Sequence, residues 1–171
     1  PREQLERSDP DLCVYELGKF FRLAAKANPN VLEILWAPCL HASPLGEVLA
    51  QKRHLFLSQL VRETYGGYAH GQLKQLAKVE RNRPEKREKF ARHLFRLFEQ
   101  GLQILGEGEL TLAVCDPERI DELSRAPYEE IKRRFAHLDA ELREMPSSLP
   151  ERPQWEKLDR LLVELRLAGL G

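Results

Sequence analysis

Residues 88–105, EKFARHLFRLFEQGLQIL, decide the fold class, because apolar side chains recur in this stretch with the period of an α-helix. The predicted buried stripe comprises Phe90, Leu94, Leu97, Phe98, Gly101 and Leu105, and a cationic cluster of Lys89, Arg92, His93 and Arg96 lies beside it. A helix of this kind packs along its apolar side and leaves the cationic side accessible. Gly106 and Gly108 predict where it ends.

The same period recurs along most of the chain. It predicts helices over residues 16–27, from Pro29, from Pro44 to about residue 57, over 58–79, from Pro117, from Pro127, and over 154–167. Residues 11–15 are rich in β-formers and predict a short N-terminal strand. The charged segment 80–87 predicts an exposed connection. The predicted fold is therefore mainly α, a helical bundle-like lobe with a short N-terminal strand.

Composition limits the class of protein. With 171 residues and 42% hydrophobic content, the chain is large enough for one domain with a buried core. It has neither a leader pattern nor an apolar run of membrane-spanning length, so we expect a cytoplasmic protein with no membrane partner. The start at Pro1 suggests processing or a segment of a longer chain. Three widely spaced cysteines, Cys13, Cys39 and Cys115, predict reduced buried thiols.

Charge is distributed unevenly along the chain. The formal net charge is zero, yet residues 74–96 hold nine Lys or Arg against three Glu, which is 9 − 3 = +6. Cationic side chains on predicted helices, namely Lys19, Arg22, Lys74, His93 and Arg96, are of the types that bind phosphate. The alternative interpretation is an ordinary solvated helix face.

The junction between the first two helices contains the other informative residues. Asn28 precedes Pro29, which predicts a helix end at Asn28 and a new helix from about Pro29. Glu33 then lies among apolar neighbours and needs a partner, either a neighbouring helix through a salt bridge or a ligand. For Tyr65 and Tyr68 we predict that the rings pack in the core while their hydroxyls reach the surface. The alternative is that these rings stack on a base.

Several classes of site are not supported by the sequence. Cys39 and His41 are the only closely spaced zinc-ligand pair, and a structural zinc site usually has two such pairs. Gly66 and Gly67 lie in a helical pattern, whereas a phosphate loop lies between a strand and a helix. The sequence also lacks a nucleophile elbow and the paired-histidine signatures of metalloproteases and deaminases.

A set of short motifs in a fixed order carries a resemblance to a known family. The motifs are Asp11-Leu12-Cys13-Val14-Tyr15-Glu16-Leu17, Lys19-Phe20, Arg22-Leu23, Asn28-Pro29-Asn30, Leu32-Glu33, Gly67-Tyr68-Ala69, Gln72-Leu73, Lys89, His93-Leu94, Arg96-Leu97 and Gly108-Glu109. In their order and spacing they resemble predicted nucleotidyltransferases of the DNA polymerase beta superfamily associated with RNA repair. The resemblance fades beyond about residue 114.

The resemblance implies a fold and a chemistry. It implies that residues 1–16 end a nucleotidyltransferase core and that 17–171 form a helical domain, so that the chain is the helical part of an α+β nucleotidyltransferase. The family uses a Gly-Ser turn and an Asp-x-Asp pair to hold Mg²⁺. This chain lacks the Gly-Ser turn, and Pro10 makes Asp9 and Asp11 a poor substitute for the pair. By position, Asp11 corresponds to the third carboxylate, with catalytic and metal-binding roles.

The remaining site residues follow from the same resemblance. It implies that Lys19, Arg22, His93 and Arg96 bind nucleotide or acceptor, and that Asn28, Glu33, Tyr68 and Gln72 support them. Lys74 joins the first group as a cationic side chain on a predicted helix. The resulting hypothesis is Mg²⁺-dependent transfer of a nucleotide from a nucleoside triphosphate to RNA or another hydroxyl acceptor. We expect the chain to be inactive without its missing carboxylates. The alternative is a non-catalytic helical module that binds nucleic acid or an acidic protein partner through its local basic patch.

Overall fold

The computed structural model describes residues 4–8, 11–38, 42–82, 84–113 and 116–169. Two strands, β1 (Gln4–Ser8) and β2 (Asp11–Tyr15), precede the helices α1 (Leu17–Ala25), α2 (Pro29–Trp36), α3 (Pro44–Gln51), α4 (Val61–Asn82), α5 (Arg87–Glu107), α6 (Pro117–Arg125), α7 (Tyr128–Glu144) and α8 (Trp155–Ala168). Short 3-10 helices cover Arg53–Phe56 and Pro84–Lys86. The prediction of a mainly helical lobe is confirmed.

The N-terminal region is a two-stranded antiparallel sheet rather than a single strand. The register pairs Gln4 with Tyr15 and Ser8 with Asp11. Sequence reasoning missed β1 because Gln-Leu-Glu-Arg-Ser has few β-formers, so this segment is a strand mainly through its pairing with β2. Leu5 and Val14 face each other across the sheet and are 44% and 47% exposed. Cys13 is also exposed, which contradicts its predicted burial, whereas Cys39 and Cys115 lie outside the described residues.

Proline and capping residues set the helix boundaries as predicted. Helix α2 starts at Pro29, and the Ser43 and Asp116 side chains cap α3 and α6 by accepting hydrogen bonds from Gly46 N and Arg119 N. The third helix was expected to reach residue 57, but α3 ends at Gln51 and a 3-10 turn follows. This turn places Phe56 and Leu57 in the core, where the Phe56 ring contacts those of Phe20 and Phe21 edge-on.

Helix α5 lies at the centre of the fold and packs against α4, α6 and α7. Its buried residues include Leu94, Leu97, Phe98, Gly101 and Leu105, as predicted from the sequence, whereas Phe90 is only half-buried. Gly101 lets α4 and α7 approach closely, because a Cβ there would lie 2.9 Å from Leu142 Cδ1 and 3.4 Å from Tyr65 Cβ. None of the described helices has both the length and the apolar character needed to cross a membrane.

In the predicted exposed connection at 80–87, residues 80–82 and 84–87 are helical, and Glu80 and Arg87 are half-buried. Helix α4 continues to Asn82, and Arg87 Nε donates to Glu80 Oε2 at 2.7 Å. The same guanidinium donates to the carbonyl oxygens of Ser124 and Ala126, which end α6. Arg87 therefore joins α4, α5 and the end of α6 through one side chain. Its guanidinium is engaged in these contacts and is not part of an exposed basic patch.

We expect Arg87→Ala to lower the free energy of unfolding by about 2–4 kcal/mol, because it leaves a carboxylate and two carbonyls without their donor. The matched control is Arg133→Ala, since Arg133 is 78% exposed against 15% for Arg87. That variant should change the unfolding free energy by less than about 0.5 kcal/mol in urea titrations. Equal losses in the two variants would contradict this account.

The Glu16 side chain joins the two ends of the helical lobe. Glu16 Oε2 accepts from Lys19 N at 2.9 Å and caps α1, and Glu16 Oε1 accepts from Arg166 Nη2 of α8 at 2.6 Å. Hydrogen bonds from the backbone at Gly18, then from Arg166, lower the pKa of Glu16 from 4.5 to about 2. The carboxylate form is therefore favoured in the folded chain.

The stabilisation from Glu16 should be present in full above pH 4.5 and be lost as the pH falls from 4.5 towards 2, because the folded chain holds the carboxylate form more strongly than the unfolded chain. Glu16→Gln removes this linkage. We expect the melting temperature of Glu16→Gln to lie below that of the parent at pH 7 and to converge with it near the bottom of this range. A difference that does not change with pH would contradict the assignment.

Candidate substrate-binding groove

A groove of about 730 Å³ runs along the cationic side of α5. It is lined by Gln72 of α4, by Lys89, Phe90, Arg92, His93 and Arg96 of α5, and by Pro117, Ile120 and Asp121 of α6. Lys89, His93 and Arg96 are spaced by four and three residues, so they lie on consecutive turns along one side of the helix. Three of the residues to which the sequence analysis gave a binding or supporting role, Gln72, His93 and Arg96, therefore meet in one groove.

Arg96 is held in place by a half-buried carboxylate of another helix. Its Nη2 donates to Glu33 Oε1 of α2 at 2.9 Å, and Gln100 Nε2 donates to the same oxygen at 3.0 Å. This confirms the salt-bridge interpretation of Glu33. The Nε of Arg96 and the Oε1 of Gln100 are buried with no hydrogen-bond partner among the described residues. Gln100 was missed because its place in the amphipathic pattern does not reveal this contact.

His93 is held in its neutral form by its surroundings. Partial burial lowers the pKa of the imidazole, and the positive charges of Arg96 and Lys89 lower it further, while Glu33 acts in the opposite direction. Within the described part of the chain neither His93 nor Lys89 has a hydrogen-bond or ion-pair partner. The groove thus holds one ammonium group and one imidazole whose bonding capacity is unused.

The charge of Arg92 is already compensated. Its Nε donates to Asp121 Oδ1 of α6 at 2.7 Å, and its Nη2 donates to Glu88 Oε2 at 3.2 Å. The first of these contacts bridges two of the helices that form the groove. Arg92 therefore shapes the groove, whereas Lys89 supplies a positive charge without a carboxylate partner among the described residues and His93 supplies a neutral imidazole beside it.

Asn28 and Tyr68 fix the position of α4 relative to the α1–α2 junction. Asn28 Nδ2 donates to Tyr68 Oη at 2.9 Å, and Thr64 Oγ1 donates to the carbonyl oxygen of Lys26 at 3.0 Å. Gln72 follows Tyr68 by one helical turn and lines the groove. These contacts hold α4 so that Gln72, one of the residues with a supporting role, lies in the groove with the cationic residues of α5. They join positions 38 and 40 residues apart, a distance over which a helical pattern carries no information.

Tyr65 differs from its predicted position. Its side chain is fully buried, and its hydroxyl has no partner among the described residues and does not reach the surface. Burial raises the pKa of this hydroxyl, and the charge of Glu33 raises it further. Tyr65 is thus a core residue behind the Glu33–Arg96 pair.

Four other candidates lie away from the groove or beyond the described atoms. Lys19 and Arg22 lie on α1, and Lys74 is exposed on α4. None of the three lines the groove. Asp11 is in β2 opposite Ser8, but its side chain lies outside what the structure describes, as do Cys39 and His41. The roles suggested for these four residues remain predictions.

Arg96→Ala should lower the free energy of unfolding by about 1–2 kcal/mol, because it leaves the carboxylate of Glu33 half-buried with only Gln100 as a donor. The side chains of Arg96 and Glu33 are 35% and 24% exposed, which keeps the loss below that for a fully buried pair. Lys74→Ala, an exposed change on α4, is the control and should be nearly neutral in the same urea titration. Equal stability of the two variants would show that the pair is not formed in solution.

Comparison with known proteins identifies the family. A family model described as RlaP, the RNA repair pathway DNA polymerase beta family, matches residues 2–164. The match continues well past residue 114, where the sequence motifs end, and extends into α8. No curated protein and no solved structure matched the chain. The family is of the DNA polymerase beta type, which suggests a nucleotidyltransferase-like role. Because the match covers almost all of the sequence, this chain belongs to the RNA repair pathway DNA polymerase beta family.

Proposed function

We propose that this chain supplies the helical, substrate-binding portion of a nucleotidyltransferase that transfers a nucleotide from a nucleoside triphosphate to a hydroxyl of RNA or another acceptor. The observation that carries the proposal is the cationic stripe of α5 in the groove. Lys89 and His93 have unused bonding capacity, and Arg96 beside them is fixed by Glu33. The family assignment supplies the reaction type. Phosphate-bearing substrates are the ligands that such a stripe suits.

The proposal divides the chain into two parts. Residues 1–16 belong to the nucleotidyltransferase core, and residues 17–171 form the helical domain. The exposed apolar side chains of the β1–β2 sheet support this division, because a two-stranded sheet of this kind needs further strands or a packing partner for stability. Asp11 in β2 is the proposed catalytic and metal-binding carboxylate.

Magnesium does not fit the groove itself. The acidic side chain that lines the groove is Asp121. Its Oδ1 already accepts a hydrogen bond from Arg92 Nε at 2.7 Å. Among the described residues no three His, Cys, Asp or Glu side chains cluster in a way that suits a metal ion. In the proposal the ion belongs to the core, at Asp11 and further carboxylates, and the groove residues act on phosphate directly.

The groove residues bind and orient a substrate. The ammonium of Lys89 and the guanidinium of Arg96 attract phosphate oxygens, and the imidazole of His93 can donate a hydrogen bond or accept a proton. Orientation by fixed groups makes an intermolecular step effectively intramolecular, which is the main contribution that a binding lobe can make to the rate. Lys19, Arg22 and Lys74 lie outside the groove and are candidates for contacts with a longer acceptor.

A second candidate function is a non-catalytic module that binds nucleic acid or an acidic protein through residues 74–96. The exposed lysines Lys74, Lys78 and Lys86, which have no partner among the described residues, favour it. Such binding would weaken steeply with salt and ignore magnesium. Triphosphate binding by the enzyme would require the metal.

The test is nucleotide transfer by the native full-length protein to a labelled RNA with a free 3′-hydroxyl, with Mg²⁺ and each triphosphate in turn. We expect Asp11→Ala to abolish transfer, and Lys89→Ala to lower kcat/KM by about 10- to 100-fold, because one charge-assisted contact contributes about 1.5–3 kcal/mol. The control is Lys52→Ala, since Lys52 is an exposed lysine beyond the end of α3 and does not line the groove.

Full activity in Asp11→Ala would exclude that residue as a catalytic carboxylate. Equal losses in Lys89→Ala and Lys52→Ala would indicate a general charge effect, and the binding module would then be the better account. Melting temperatures of all variants should remain within a few degrees of the parent, so that a loss of transfer is not a loss of folding.

A further inference from the structure

The lining of the groove contains three cationic side chains, Lys89, Arg92 and Arg96, and one carboxylate, Asp121. Arg92 is paired with Asp121 and Glu88, and Arg96 with Glu33, but no carboxylate among the described residues pairs with Lys89 or His93. Lys89, His93 and Arg96 also lie close enough for both neighbouring charges to depress the pKa of His93. The charges of Lys89 and Arg96 lie two turns apart on one helix with His93 between them, so an anion bound there is attracted by both charges.

Arg96 is already oriented before any ligand arrives. Glu33 binds one of its terminal nitrogens, and Gln100 fixes Glu33 in turn through the same carboxylate oxygen. A guanidinium has five N–H donors; among the described residues Glu33 accepts from one terminal nitrogen of Arg96, and the Nε donor is buried, so the donors open to a ligand are on the terminal nitrogens. Donors therefore remain for a ligand, and the side chain loses little further freedom when it binds.

Part of the groove lining is apolar. Phe90, Pro117 and Ile120 form this part, and Phe90 is half-buried with part of its ring accessible. A nucleobase can stack on the accessible part of the Phe90 ring, because every base has a π-face. A volume of about 730 Å³ is of the size that holds a small-molecule ligand, with room for a nucleotide.

The kind of phosphate follows from the charges. A triphosphate is normally bound as its magnesium complex and needs carboxylates nearby, which the groove does not offer. An internal phosphodiester carries a single negative charge. A terminal phosphate monoester carries about −1.5 to −2 at pH 7 and has three acceptor oxygens. A terminal phosphate monoester therefore suits an unpaired lysine, a histidine that can take up a proton and an oriented arginine. It suits them better than a triphosphate or an internal phosphodiester does.

We propose that the groove binds the terminal phosphate monoester of an RNA strand, with Lys89, His93 and Arg96 around the phosphate and Phe90 against the terminal base. This inference rests on the proposed function and deepens it, because it assigns the groove to the end of an RNA strand rather than to the triphosphate. The two possible sources of the same chemistry, a 5′-phosphate and a 3′-phosphate, are separated by the experiment.

The experiment measures binding of fluorescent RNA oligonucleotides of one sequence to the whole chain, by anisotropy, without Mg²⁺ and at fixed salt. The three oligonucleotides carry a 5′-phosphate, a 3′-phosphate, or hydroxyls at both ends. We expect one phosphorylated form to bind at least tenfold more tightly than the hydroxyl form. Lys89→Ala and His93→Gln should remove this preference, and Lys52→Ala should keep it.

Proton uptake provides a second readout that a merely structural role would not change. A dianion beside His93 raises the pKa of the imidazole, so binding of the phosphorylated RNA near pH 7 should take up a fraction of a proton. Calorimetry in two buffers of different ionisation enthalpy measures this fraction. We expect His93→Gln to reduce the uptake while Arg96, Lys89 and Glu33, the charged groups around His93, stay in place.

The possible failures are distinguishable. Equal binding of all three oligonucleotides would overturn the terminal-phosphate assignment and leave the groove as a surface for an RNA backbone, within the proposed function. Binding of a triphosphate with Mg²⁺, displaced by none of the RNAs, would overturn the inference and support the triphosphate as the ligand. Absence of binding by RNA and by triphosphate in a folded chain would overturn both proposals.

Discussion

The packing of α5 against α4, α6 and α7 is the constraint on which the rest of the structure depends. Helix α5 buries residues on three sides, and Gly101 allows Tyr65 and Leu142 to approach its backbone closely. With so much of its circumference buried, α5 has only a narrow strip left for cationic side chains. Those residues are therefore concentrated in one groove instead of being spread around the helix.

The basic segment 74–96 is not a single patch in the folded chain. Its arginines with described side chains, Arg87, Arg92 and Arg96, are each paired with a carboxylate, and the three pairs join α5 to α4, α6 and α2. Its described lysines, Lys74, Lys78, Lys86 and Lys89, have no such partner. The division follows the chemistry of the two residues, because the planar guanidinium suits fixed contacts with carboxylates and carbonyls, whereas the ammonium remains hydrated on a flexible stem.

The Glu33–Arg96–Gln100 cluster illustrates why a polar contact is retained near a core. A half-buried ion pair contributes little net stability, since desolvation of both charges offsets their attraction. What it does contribute is a defined position for a guanidinium at the edge of the groove. Tyr65 Oη and Arg96 Nε are buried nearby without hydrogen-bond partners among the described residues. Their desolvation lowers the stability of the fold, whereas apolar side chains at the same positions would not have this cost. A binding site is a physical reason for such a cost.

The sequence by itself determined the helical fold class, most helix boundaries and the cationic stripe of α5, because periodicity, proline and capping residues act over a few positions. Through the family resemblance it also named Asn28, Glu33, Tyr68, Gln72, His93 and Arg96, although it named Lys19, Arg22 and Lys74 as well, which do not line the groove. Only the tertiary structure decided that β1 is a strand, that Arg87 and Arg96 are already paired, and that Lys89 is not. Those outcomes depend on contacts such as Glu33 with Arg96, 63 positions apart, and no local pattern encodes which distant side chain reaches a given charge first.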